Sequence, residues 1–201
     1  MNDKKFLITE GNAKEYCDII GTWIKEHIEN ANANIGDNAF CHCDALLNVD
    51  LGNQIATIGK YAFNGCRSLE SIEIESPIEK IDIGCFFNCE SLNSITLPQG
   101  VSAIENKAFE KCTSLTSITL PNSIETIGER AFYECKMLNS INIPERVVHI
   151  DEMAFWGCNE LKSITIPAYL KKLGKKAFGN CFNLTSITYN AENCKAGKSV
   201  F

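Results

Sequence analysis

Phenylalanine returns in this chain on a fixed beat: Phe40, Phe63, Phe86, Phe109, Phe132, Phe155, Phe178 and Phe201 stand 23 residues apart with no insertion. The neighbouring positions keep the same period. Ala39, Ala62, Ala108, Ala131, Ala154 and Ala177 precede the Phe, with Cys85 and Val200 in the two remaining copies. Cys43, Cys66, Cys89, Cys112, Cys135, Cys158 and Cys181 follow it by three residues, and Leu46, Leu69, Leu92, Leu115, Leu138, Leu161 and Leu184 by six. A unit this short cannot bury its apolar face alone, so each copy has to stack on the next. The pattern therefore demands a solenoid.

Inside the unit, the alternation of Leu115, Ile118 and Leu120 reads as a short strand with every second side chain inward. Successive copies of it would form a parallel sheet at about 4.8 Å per coil. Pro98, Pro121, Pro144 and Pro167 close the segment, where the missing N–H ends the ladder. Two further apolar columns complete the unit, one including Ile124 and Val147 and the other Ile127 and Ile150. The stretch leading into each Phe begins with Gly36, Gly59, Asp82, Glu105, Gly128, Asp151, Gly174 or Gly197. Gly and Asp suit a cap or tight turn, and the stretch is expected to make a short helical turn opposite the strand.

The segment ahead of the array has a different pattern. Phe6, Leu7 and Ile8 suggest a short strand. Asn12 and Glu15 fit a capping box, and Tyr16, Ile19, Ile20, Trp23, Ile24 and Ile28 recur at helical spacing. The expectation is an amphipathic helix over about 13–29 that covers the exposed core of the first coil. A partner-binding helix is the other reading. The domain division that follows is a cap over 1–34 and a repeat array of about seven coils over 35–201.

The array resembles the leucine-rich repeat, and more closely its BspA-like variety, whose units run A-F-x-x-C-x-x-L-x-x-I-x-L-P. It departs from the common leucine-rich repeat in lacking an Asn ladder just after the strand. The resemblance implies an α/β fold, a right-handed solenoid with one short parallel strand and one short helical turn per 23-residue coil. It also implies recognition work rather than chemistry, as a protein-interaction module. A surface adhesin for host matrix or glycans, with its leader absent, and a structural spacer in a larger assembly are the alternatives.

Charge and motif content narrow the function classes. A net charge of −6 and a pI near 5.2 argue against a nucleic-acid footprint or attraction to anionic membrane. No stretch approaches the roughly 20 apolar residues of a membrane span. Only three apolar residues follow Lys4 and Lys5, too few for a secretory leader, so a cytoplasmic location is expected for the sequence as it stands. Removal of a leader would make it a surface or secreted protein. The three histidines, His27, His42 and His149, lie in unrelated contexts, and no nucleophile-elbow, zincin or phosphate-loop motif occurs. No catalytic residue, metal site or cofactor is expected. The eleven cysteines fall mostly into the repeat column, where a linear file cannot supply tetrahedral ligands and packs as small hydrophobes instead.

Two candidate partner surfaces remain. Strand residues between the core positions face solvent, which selects Thr96, Thr119, Asn142 and Thr165. Phe87, Tyr133 and Trp156 occupy the position after the ladder Phe, which the repeat leaves free to be polar, and Phe182 lies close in sequence to the same column. Such aromatics are plausible anchors for a protein partner. Glu70, Glu73, Glu75, Glu79, Asp82 and Glu90 crowd the early coils, whereas Lys171, Lys172, Lys175 and Lys176 crowd the last full one. Opposite charge at the two ends would guide head-to-tail self-association, weakened by salt.

Overall fold

The computed structural model describes residues 7–8 and 33–201. The expected helix over about 13–29, and with it most of the proposed cap, lies outside the described residues. Those described contain sixteen strands of two to four residues, numbered β1 to β16 in chain order, and every recorded pairing is parallel.

The expected strand ladder is present. It comprises β3 (Asn48–Asp50), β5 (Ser71–Glu73), β7 (Ser94–Thr96), β9 (Ser117–Thr119), β11 (Ser140–Asn142), β13 (Ser163–Ile166) and β15 (Ser186–Tyr189). Its partners are equivalent residues of adjacent copies, such as Ser71 with Ser94 and Ile118 with Ile141. The central Ile or Val is buried in all but the last, and the polar residues on either side point outward.

A second ladder, not anticipated from the sequence, runs through the other apolar column. It consists of β1 (Leu7–Ile8), β2 (Ala33–Ile35), β4 (Ile55–Ile58), β6 (Lys80–Ile81), β8 (Ala103–Ile104), β10 (Thr126–Ile127), β12 (His149–Ile150), β14 (Lys172–Leu173) and β16 (Lys195–Ala196). The strand expected near Phe6 to Ile8 exists as β1, and it adds one rung by pairing with β2. Strands β6 to β16 form one continuous six-stranded sheet.

The expected helical turn is not found: no helix occurs among the described residues. A chain of turns takes its place, and the coil of Phe109 shows how it is built. The N–H groups of Ala108, Glu110 and Cys112 close four-residue turns onto the carbonyls of Glu105, Lys107 and Phe109 at 3.2, 3.1 and 3.1 Å. The alternate N–H groups, on Lys107, Phe109 and Lys111, instead reach carbonyls of the next coil at Glu129, Ala131 and Tyr133, at 2.9, 2.8 and 2.7 Å. Left-handed backbone at Lys107 (φ 62°) and Lys111 (φ 63°) turns those groups outward. Spacing explains the choice. Packed helices need about 8–10 Å between axes, twice the rise of about 4.8 Å that the strands impose on each coil. With ladders on two sides the coils cannot splay to make that room, and the arc of turns hydrogen-bonds from coil to coil at the strand rise.

The left-handed positions recur two residues before and two after each Phe, and many carry no glycine: Asn38, Tyr61, Arg130, Met153 and Lys176 before it, Asn88, Lys111, Glu134 and Asn180 after it. A side chain there costs about 1–2 kcal/mol relative to the right-handed region. Lys111→Gly is thus expected to raise unfolding stability by about 1 kcal/mol, after the extra chain entropy of glycine is subtracted. Urea unfolding of the two proteins measures it, and a destabilised variant would contradict the strain.

The core is a file of columns. The Phe rings stack from Phe40 to Phe201 with centroids 5.0–5.7 Å apart and planes within 13°. The Ala, Leu and Ile columns surround them, fully buried through the middle of the array.

Candidate interaction surfaces

The cysteine column has a sharper role than small-hydrophobe packing. Each thiol from Cys66 to Cys181 donates to the carbonyl of the ladder Phe in the preceding coil, as in Cys112 Sγ to Phe86 O at 3.1 Å and Cys66 Sγ to Phe40 O at 3.0 Å. That carbonyl already takes one turn N–H, so the thiol fills its second lone pair without bringing a strongly polar group into the core. Cys43 differs, being disulfide-bonded rather than free. Burial pushes the other thiols up, Cys66 to about 12 and Cys181 to about 11.

A raised thiol pKa has a definite consequence for stability. The native state keeps its proton above the ordinary thiol range, so the contribution is complete below about pH 8.5 and is lost as pH climbs through the raised values. The array is expected to weaken progressively between about pH 9 and 12, and native Cys112 to resist alkylation that proceeds freely in urea. Peptide mapping after alkylation reads this directly; rapid labelling of native Cys112 would contradict it. Among the described residues no group of three or more His, Cys, Asp or Glu is placed to hold a metal ion.

Of the candidate aromatics, the structure brings two together. Tyr133 and Trp156 stack with centroids 4.8 Å apart and planes 7° from parallel. The opposite face of Trp156 rests against Gly179, where even a methyl group would meet the indole at 2.8 Å. The Arg130 guanidinium lies over the Tyr133 ring at 4.1 Å from its centroid. Ring faces are therefore taken up within the column, and the half-buried pair offers its edges to solvent. Phe87 is two coils from Tyr133 with Glu110 in the position between them, and it does not join the stack. Phe182 stands apart, 77% exposed, with no ring stacked on it among the described residues.

Sequence reading missed the ion pair beside this stack. Glu110 occupies the aromatic position of its own coil and is only 3% exposed, and Arg130 of the next coil binds it from Nη2 to Oε1 at 2.6 Å. Glu110 Oε2 and Arg130 Nε find no partner. Desolvation raises the Glu110 carboxyl above the usual range, opposed by Arg130. The signal was a lone charge in a column otherwise able to stack, which a one-coil reading cannot interpret.

Thr96, Thr119, Asn142 and Thr165 are all exposed, each on the outward side of its strand in the first ladder. Their side chains are short enough to leave a shallow trough over the middle coils, floored by Ile118 and Ile141 and walled by Ser117, Thr119, Asn142 and Ser163. No element of the described residues covers it. No helix of the described residues is long and apolar enough to cross a membrane.

Two parallel ladders, a buried Phe file and a turn arc in 23-residue coils define a repeat solenoid with lateral surfaces. The model of the BspA type leucine-rich repeat region matches residues 22–135 and 79–201 in six copies, and the chain belongs to that family. Among solved structures it is similar to a leucine-rich repeat protein from Bacteroides ovatus, at 30% identity and a TM-score of 0.76 over 82% of this chain and 43% of that one. It is also similar to the leucine-rich repeat protein of T. pallidum, at 31% identity and a TM-score of 0.61 over 82% of this chain and 66% of that one. A third, from Eubacterium ventriosum, matches at 27% identity and a TM-score of 0.58 over 61% of this chain and 33% of that one. The chain thus spans less than two thirds of the length of each. No curated protein matches.

Proposed function

We propose that this chain is a non-catalytic protein-interaction module that binds a protein partner on the outer face of its first ladder, within a repeat array over 35–201. The observation that carries the reading is the uncovered trough over β9, β11 and β13, lined by the small exposed side chains of Ser117, Thr119, Ser140, Asn142 and Ser163 above the buried Ile118 and Ile141. A partner segment lying there would meet hydroxyl and amide side chains on a scaffold fixed by two ladders. The Tyr133–Trp156 pair supports the scaffold with its ring faces and is a secondary contact through its edges. Phe87 and Phe182 are peripheral to it. Family membership supports recognition in general, since repeat folds act through surfaces, and names no partner.

The test is affinity capture from lysate and surface extract of the source cell, read by mass spectrometry. Wild type is compared with a Thr119→Arg, Asn142→Arg variant, which fills the trough without touching the core, and with Tyr133→Ala, Trp156→Ala. Loss of a partner in the trough variant alone is the expected result. Loss only in the aromatic variant, at matched stability, moves the site to the turn side. A partner retained by both variants sinks both surfaces. No partner from the source cell favours the adhesin reading, with its ligand on another organism, or the spacer reading.

A further inference from the structure

Residues 161–201 hold seven of the nineteen Lys and Arg side chains but only one of the twenty-five Asp and Glu. The structure shows where this imbalance lies. On the second ladder, the outward positions run from Glu79 and Asp82 beside β6, through Glu105 beside β8 and Glu125 and Glu129 beside β10, to Lys171, Lys172 and Lys175 beside β14 and Lys195 and Lys198 beside β16. Parallel register places Lys172 against Lys195. One side of the solenoid thus carries a charge gradient along its axis, acidic over the early coils and basic over the last.

Part of this charge is already neutralised inside the chain. Lys80 pairs with Asp82 at 3.0 Å, Arg146 with Glu125 at 3.2 Å, Lys172 with Asp151 at 2.5 Å and Lys175 with Glu152 at 3.8 Å. Glu79, Glu105 and Glu129 at one end, and Lys171, Lys195 and Lys198 at the other, form no ion pair among the described residues. The internal pairs cluster over β10, β12 and β14, which leaves the middle of this side close to neutral. Lys80 lies in the acidic half and its proton is held more tightly by Asp82, Glu105 and Glu79, as a locally negative field requires.

We propose that two copies of this chain associate side by side and antiparallel through the second ladder. A two-fold axis between β10 and β12 lays β6 of one copy over β16 of the other and β8 over β14. The acidic coils of β6 and β8 then face the basic coils of β16 and β14, twice, in a closed isologous contact. Antiparallel placement is favoured over head-to-tail stacking because the charged side chains flank the coils; stacking ends on ends leaves both sets in solvent. At the axis the half-buried Thr126 of β10 meets the exposed His149 of β12, and on β8 the outward residue is the half-buried Ala103. Six coils at about 4.8 Å span roughly 24 Å, so the contact is small, below about 1,000 Å² in total, and is expected to be weak and governed by ionic strength. The first ladder belongs to other sheets and is left free, so this association and the partner site stand or fall separately.

Sedimentation equilibrium of the full chain tests it, at about 0.05 M and about 0.5 M NaCl. The expected result is a monomer–dimer equilibrium at low salt that weakens at least tenfold at high salt. Lys171→Glu, Lys195→Glu is expected to be monomeric, and so is Glu79→Lys, Glu105→Lys. Mixed together, these two variants regain opposite charge at both contacts and form a heterodimer. Lys171, Lys195 and Glu79 are exposed and Glu105 is half-buried, and circular dichroism checks that both variants are folded. A monomer at every salt concentration overturns the proposal, as does a dimer indifferent to all four substitutions. Species that keep growing with concentration overturn it too, since they signify an open head-to-tail contact, and so does failure of the two variants to pair.

Discussion

Phe109→Ala is expected to destabilise the array by about 3–5 kcal/mol. Phe109 is wholly buried and lies between Phe86 and Phe132, with centroids at 5.4 and 5.2 Å and both planes within 9°. Alanine removes the ring and both stacks, and the gap cannot close because ladder hydrogen bonds on either side fix the coil spacing. In a solenoid each coil depends on its neighbours alone, so a weakened interface should also divide the molecule. Urea unfolding of the variant is expected to separate into two transitions, and hydrogen exchange to show coils before and after Phe109 opening independently. A loss under about 1 kcal/mol with one sharp transition would show that the Phe file is not what couples the coils.

Arg130→Met is expected to cost about 3 kcal/mol at pH 7, toward the low end for a broken buried pair because the Arg130 side chain is itself 31% exposed. Methionine keeps the volume over Tyr133 but leaves the Glu110 carboxylate buried without its counter-charge. The pH dependence identifies the cause. Burial already raises the Glu110 carboxyl, so protonation favours the folded state; stability from this group is regained as pH falls below the raised value toward the ordinary carboxylate range, and lost as pH rises through it. Without Arg130 the upward shift grows, so the deficit of the variant should shrink as pH is lowered from 7 to about 4.5. Glu110→Gln, Arg130→Met should abolish that pH dependence. A deficit that stays constant with pH would assign the loss to packing against Tyr133 instead.

How far the sequence reaches can be judged residue by residue. The period fixed by Phe40 to Phe201, the inward Leu and Ile of the first ladder and the outward Thr96, Thr119, Asn142 and Thr165 were all legible, because a two-residue alternation and a 23-residue repeat each map onto one geometry. The second ladder was half legible: Ile127 and Ile150 were recognised as core, but two-residue strands are too short to show alternation. The turn arc was misread as helical. Its Gly and Asn at Gly65, Asn88, Gly157 and Asn180 hinted at left-handed backbone, while Lys107, Lys111 and Arg130 adopt the same conformation without a glycine to mark it.

What the sequence determined by itself is therefore the solenoid, its period, its buried columns and its family, since these follow from which residues must leave water and how often. The tertiary structure decided everything that depends on contacts between coils. The inter-coil spacing excludes helices, turns cysteine thiols toward Phe carbonyls of the preceding coil, uses up the faces of Tyr133 and Trp156 against each other and Gly179, and joins Glu110 to Arg130. The reason is one of distance. Local propensity acts over a few residues, whereas each of these interactions joins groups some twenty or more positions apart that meet only when one coil is laid on the next.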